Sequence, residues 1–129
     1  MVKLLMALLS LLCSCTAFAE WKKIVTTYNP SAYADLATLQ RNGNLANMWV
    51  LIDYKKVPFD GNNLPYRSLK MHVEYNCVTT EFRFLELASF EGQMATGRSP
   101  YAAIEPGAWQ TAAPEGIQHP LWETACKKR

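Results

Sequence analysis

Two histidines and four cysteines are the side chains of this 129-residue sequence best suited to chemistry, and their spacing assembles no catalytic set. A hydrolase needs a nucleophile, a base and a group that orients the base. His72 and Glu74 stand at alternate positions of one strand-like run, which makes them neighbours on a solvated face rather than a relay. His119 sits just before Pro120 in a turn. Two histidines without a cysteine cluster do not form a structural zinc site. The sequence therefore predicts no catalytic residue, no metal and no cofactor, and it reads as a non-enzyme.

What remains is covalent closure and charge. Cys77 and Cys126 read as a structural disulfide in an exported chain rather than as reactive thiols. Closing a loop of about 50 residues removes on the order of 4 kcal/mol of unfolded-state entropy in the chain-entropy account. Lys70 and His72 share the wet face of one strand, Arg83 lies on the next, and Lys55 and Lys56 end another. A shallow basic patch of these five would suit acidic stretches of a protein partner or an anionic polysaccharide. The competing reading is that the same charges only keep a sheet soluble and block edge pairing. Trp49, Trp109 and Trp122 are expected in the core rather than as ligand-stacking residues.

The elements that would position these groups begin after a leader. Lys3, the apolar run at 4–12 and Ala17-Phe18-Ala19 have the three parts of a secretory signal, so residues 1–19 are expected to be removed and 20–129 to form one domain. The run is too short to cross a bilayer, which needs about 20 apolar residues. Leu12-Cys13-Ser14-Cys15 competes as a lipoprotein processing site, which makes Cys15 a candidate for lipidation. Without residues 1–19 the formal charge falls from +2 to +1, because Lys3 goes with them. That near-neutral balance argues against a dedicated nucleic-acid binder.

Residues 21–28 (WKKIVTTY) read as an opening strand closed by Asn29-Pro30, and 33–40 as a second. Asn42-Gly43 marks a tight hairpin turn. Residues 45–56 carry apolar side chains at both parities, as expected for a strand covered on part of both faces. Residues 57–65 form a loop. Over 66–77 the alternation is plain: Leu69, Met71, Val73, Tyr75 and Cys77 share one face, and Ser68, Lys70, His72, Glu74 and Asn76 the other. Residues 81–90 follow as the hairpin partner, 93–101 as a weaker strand, and 104–116 as a connector with room for an edge strand at 108–111. Ile117, Leu121 and Ala125 recur four apart with Trp122 and Cys126 beside them, a short amphipathic helix with its regular part at 120–127. The sum is an α+β domain: an antiparallel β-sheet of about six strands with a C-terminal α-helix packed on one face and tethered by a disulfide.

The order Trp21-Lys22-Lys23, MWVLIDYKK (48–56), PYRSLK (65–70), EYNC (74–77), PGAW (106–109) and LWETAC (121–126) resembles the bacterial surface-adhesin protein E family, over nearly the whole chain after the leader. The resemblance implies the same sheet and tethered helix and an extracytoplasmic location, periplasmic or at the outer membrane or cell surface, sometimes by a lipid anchor. It also implies binding of host matrix and serum proteins such as laminin and vitronectin. The expected function is thus an exported non-enzymatic binding module. The alternative is a soluble periplasmic structural or envelope-accessory protein without a host ligand.

Overall fold

The computed structural model describes residues 20–57 and 66–127. The leader, Cys15, most of the loop at 57–65, Lys128 and Arg129 lie outside the described residues. Seven strands, β1 (Lys22–Thr26), β2 (Ser31–Asn42), β3 (Leu45–Asp53), β4 (Ser68–Asn76), β5 (Glu81–Phe90), β6 (Ala102–Ala103) and β7 (Gln110–Thr111), precede the helix α1 (Gln118–Cys126). They form one antiparallel sheet with β1 to β6 in sequence order, and β7 joins β5 beside β6. The outer edge of β5 is thus met at Leu87–Ala88 by β6 and at Glu81–Phe82 by β7. Between them Gly107 donates its N–H to the Phe84 carbonyl at 2.7 Å.

Turn chemistry explains the meander. Asn42 pairs with Leu45, so the β2–β3 loop is Gly43-Asn44, one residue later than the Asn-Gly signal suggests. Gly43 takes φ +61° while Asn42 and Asn44 keep negative φ. Glycine at the first loop position, and positive φ there alone, is the type II′ solution. In the β4–β5 loop Asn76 Oδ1 accepts the N–H groups of Val78 and Thr79 at 3.0 and 3.2 Å, which folds the chain back on itself.

The apolar positions read from the alternation of β4 are buried as expected: Met71, Val73 and Tyr75 join Ala46, Met48, Val50 and Ile52 of β3, Ala32 and Ala34 of β2, and Leu121 and Ala125 of α1. Leu121 and Ala125, one helical turn apart, are the residues that α1 buries. The helix begins at Gln118, two residues earlier than expected, with Pro120 still inside the first turn where a missing N–H costs nothing. Nine residues make a helix too short to persist alone. It is held by Leu121 in the core, by Trp122 Nε1–H donating to the Asn76 carbonyl at 2.8 Å, and by the Cys77–Cys126 disulfide, with Cα atoms 5.4 Å apart.

The weak strand expected over 93–101 does not form. Gln93–Ala95 is a 3-10 turn and only Ala102–Ala103 pairs with β5. Met94 and Ala95 take positive φ, 55° and 58°, a conformation that costs roughly 1–2 kcal/mol per non-glycine residue. Two side chains from neighbouring strands offset that cost. Asp53 Oδ1 accepts the Met94 N–H at 2.7 Å. Ser68, fully buried, donates its hydroxyl to the Gly92 carbonyl at 2.6 Å and accepts the Ala95 N–H at 2.9 Å. These bonds outcompete the sheet ladder that the sequence pattern suggested.

Two predictions follow from the core and its clamp. Replacing Cys77 and Cys126 together by Ser opens a link across 49 positions and should cost about 4 kcal/mol of unfolding free energy, read by urea denaturation; a loss below about 1 kcal/mol would mean that packing alone seats the helix. Burial pushes the Tyr75 phenol far above its ordinary value of 10.0. The unfolded chain then loses this proton first, so the contribution to stability is intact below about pH 10 and falls above it by about 1.4 kcal/mol per pH unit. Tyr75→Phe should flatten the alkaline limb of the pH–stability curve by that slope, and an unaltered limb would refute the assignment.

Candidate functional site

The helix covers one face of the sheet, and register decides what the other face carries. In β3 and β4, Trp49 stands opposite His72, Leu51 opposite Lys70 and Asn47 opposite Glu74. Opposed residues of a pleated sheet point the same way. Leu51 is fully buried yet lies outside the main core cluster, so the mixed parity of β3 does report partial cover on both faces.

Two irregularities shape this second face. Val73 pairs with Phe84 but His72 pairs with Glu86, leaving Leu85 as an extra residue in β5. Without that bulge Arg83 and Glu86, three apart, would point to opposite sides; with it both reach the second face. In β2 the pairing shifts between Asp35 and Gln40. Asp35 Oδ1 accepts the Ala37 N–H at 3.2 Å, Thr38 Oγ1 donates to the Asp35 carbonyl at 2.6 Å, and the same hydroxyl accepts the Trp49 N–H at 3.0 Å. A threonine side chain thus replaces the missing ladder partner and fixes the backbone that carries Trp49.

The side chains then interlock. The His72 ring stacks on Trp49 at 5.0 Å between centroids and 13° between planes, and His72 Nε2 lies 2.8 Å from Asn47 Oδ1. Lys70 Nζ sits 5.0 Å from the Trp49 ring centre. The Arg83 guanidinium meets Glu74 Oε1 at 2.8 Å through both Nε and Nη2 and lies 4.8 Å over the Trp109 ring. Such cation–ring contacts contribute about 0.5–2 kcal/mol each. The half-buried ion pair adds on the order of 1 kcal/mol or less.

Of the five expected basic residues, Lys70, His72 and Arg83 share this face, but Arg83 is neutralised by Glu74. Lys55 and Lys56 lie beyond the end of β3. The Lys55 N–H donates to Asn29 Oδ1 at 2.7 Å, and Lys56 Nζ stands 5.7 Å from the centre of the Tyr28 ring, at the β1–β2 turn. The surface is therefore an alternation of indole rings and charges rather than one basic field. Trp122 packs against the core as expected, whereas Trp49 and Trp109 do not belong to it. The signal for Trp49 was its register with the wet side of β4, which cannot be read before the pairing is known. Glu74 serves Arg83, not His72, so no base is oriented by a carboxylate here.

Beside Trp49 the face dips into a depression of about 190 Å³, lined by Trp49, Lys70, Glu86, Ala88, Ala102 and Ile104. Ile104 is 75% exposed. Among the described residues no group of three His, Cys, Asp or Glu side chains gathers to hold a metal, and no helix is long and apolar enough to cross a membrane.

A family model described as surface-adhesin protein E matches residues 21–127. Solved structures of Haemophilus influenzae protein E are similar in fold: one has a TM-score of 0.59 at 11% identity, covering 85% of this chain and 86% of that one. A second crystal form gives 0.60 at 11%, covering 85% and 89%. Protein E from non-typeable Haemophilus influenzae gives 0.51 at 10%, covering 87% and 76%. Identities this low speak for the fold alone. No curated protein matches the chain in sequence.

Because Ser68 anchors the turn that leads toward Ala102 and Ile104, Ser68→Ala should orphan the Ala95 N–H and cost about 1–3 kcal/mol. Hydrogen exchange is the check: the Ala95 amide should exchange faster while amides of β3 and β4 keep their protection. Unchanged exchange at Ala95 would remove Ser68 from this role.

Proposed function

The chain belongs to the surface-adhesin protein E family, and from that premise we propose that it is a non-catalytic contact protein that meets host matrix or serum proteins through the helix-free face of its sheet. Its family is one of exported or surface-exposed adhesins. The observation that carries the reading is the placement of Trp49 and Trp109, each in contact with a cation, on the face that α1 leaves open. Tryptophan and arginine are the residues that most often dominate binding energy at protein interfaces, because they combine large apolar area with directional polar contacts. His72, itself held by Asn47, stacks on the Trp49 ring, so little side-chain freedom is left to lose when a partner docks.

The location follows the same logic. The sequence at 1–19 directs export, and the retained protein begins at Glu20 if the leader is cut after Ala19, or at an acylated Cys15 if the lipoprotein site is used. Surface display on intact cells goes with the second product and a periplasmic role with the first.

The test is binding of the exported protein to immobilised laminin and vitronectin, read by surface plasmon resonance. The parent should bind at least one of them, and the double variant Trp49→Ala, Lys70→Glu should bind at least tenfold more weakly. Glu123→Lys, on the exposed side of α1, should leave affinity unchanged. Equal binding by parent and double variant would move the contact surface elsewhere, and no binding by the parent would favour the envelope-accessory role.

A further inference from the structure

Ala88 and Ala102 are register partners, so their methyl groups sit side by side on the second face. With Ala103 they are the smallest side chains lining the depression, and larger ones stand around them: Trp49 and the stem of Lys70, Glu86 and the exposed Ile104. The resulting volume, about 190 Å³, is below the roughly 300–1,000 Å³ of sites for whole small molecules. It suits one side chain. Its lip carries two charges, and among the described residues neither has an ion-pair partner: no carboxylate reaches Lys70 and no cation reaches Glu86.

Resting on the reading that this face meets proteins, we propose that the depression is a socket for a single bulky apolar side chain of a protein partner, presented beside an acidic residue that pairs with Lys70. The ring or branched chain displaces water from Ala88 and Ala102 and packs against the Trp49 edge and Ile104. The acid completes the charge of Lys70, whose nearest described partner is the indole it lies over. Glu86 disfavours a second acid on the far side, which gives the socket a polarity. The depression is open, so it is the seated side chain and the acid beside it that would exclude water from the Lys70 contact, and such water-excluded contacts are where interface energy concentrates.

Blocked tripeptides Asp-Phe-Gly and Gly-Phe-Asp serve as probes, with Phe replaced by Ala as the control, titrated into the ¹⁵N-labelled protein exported with its own leader. One Phe peptide should shift the amides of Ala88 and Ala102 and the Trp49 indole N–H, and the Ala control should bind at least tenfold more weakly. Ala102→Trp, a filled socket at an exposed edge position, should abolish the shifts while the remaining spectrum stays that of the folded protein. Lys70→Glu should weaken the Phe peptide at least tenfold. Equal shifts from the Phe and Ala peptides, shifts centred elsewhere, or none up to the solubility of the peptides would overturn the socket. If the socket fails while the parent still binds laminin or vitronectin, the contact-protein reading stands without it. If the Phe peptide seats and neither matrix protein binds, the site stands and its partner lies outside those proteins.

Discussion

The disulfide between Cys77 and Cys126 joins the end of β4 to the last turn of α1, and most of the molecule's asymmetry depends on it. A nine-residue helix would fray in water. Clamped at its C-terminal end and pinned at Leu121 and by Trp122, it instead lies across the apolar face and shields Tyr75, Met48 and Val73. With that face closed, the opposite face is the broad surface that the described elements leave uncovered. The clamp therefore sets which face of the sheet the helix covers.

That remaining surface is organised by departures from regular pairing. The extra residue at Leu85 turns Arg83 and Glu86 to the same side, and the looser stretch of β2 hands the Trp49 N–H to the Thr38 hydroxyl. Each irregularity breaks a ladder bond and is compensated locally, one by an ion pair to Glu74 and the other by a side-chain acceptor. Bulges commonly re-aim side chains in this manner. Here they gather indole rings and charges that an uninterrupted ladder would have divided between two faces.

Much of the fold was legible in the residues because it rests on local signals. The alternation of β4, the turn residues around Gly43 and the four-residue spacing of Ile117, Leu121 and Ala125 each reflect a period that neighbours cannot erase. The cysteines were legible because export narrows their chemistry. Trp49 and Trp109 were not, since a tryptophan in a mixed-parity run suits either face until its partner across the ladder is known. The 93–101 segment misled for a similar reason. Its turn is held by Ser68 and Asp53, which come from distant strands and leave no trace in the segment itself. The basic patch was half legible: parity put Lys70 and His72 together, but nothing in the sequence said that Arg83 would be neutralised or that Lys56 would turn toward Tyr28.

The divided pairing along the outer side of β5 has a further meaning for how this protein behaves in a crowd. β6 and β7 occupy the two ends of that edge, and the Gly107 amide interrupts the space between them. No long row of free backbone groups is offered there to another chain. The opposite edge, β1, carries the exposed Lys22 and Lys23, and lysines on an edge strand discourage another sheet from docking. With both margins guarded, fibre growth by strand addition is disfavoured in either direction.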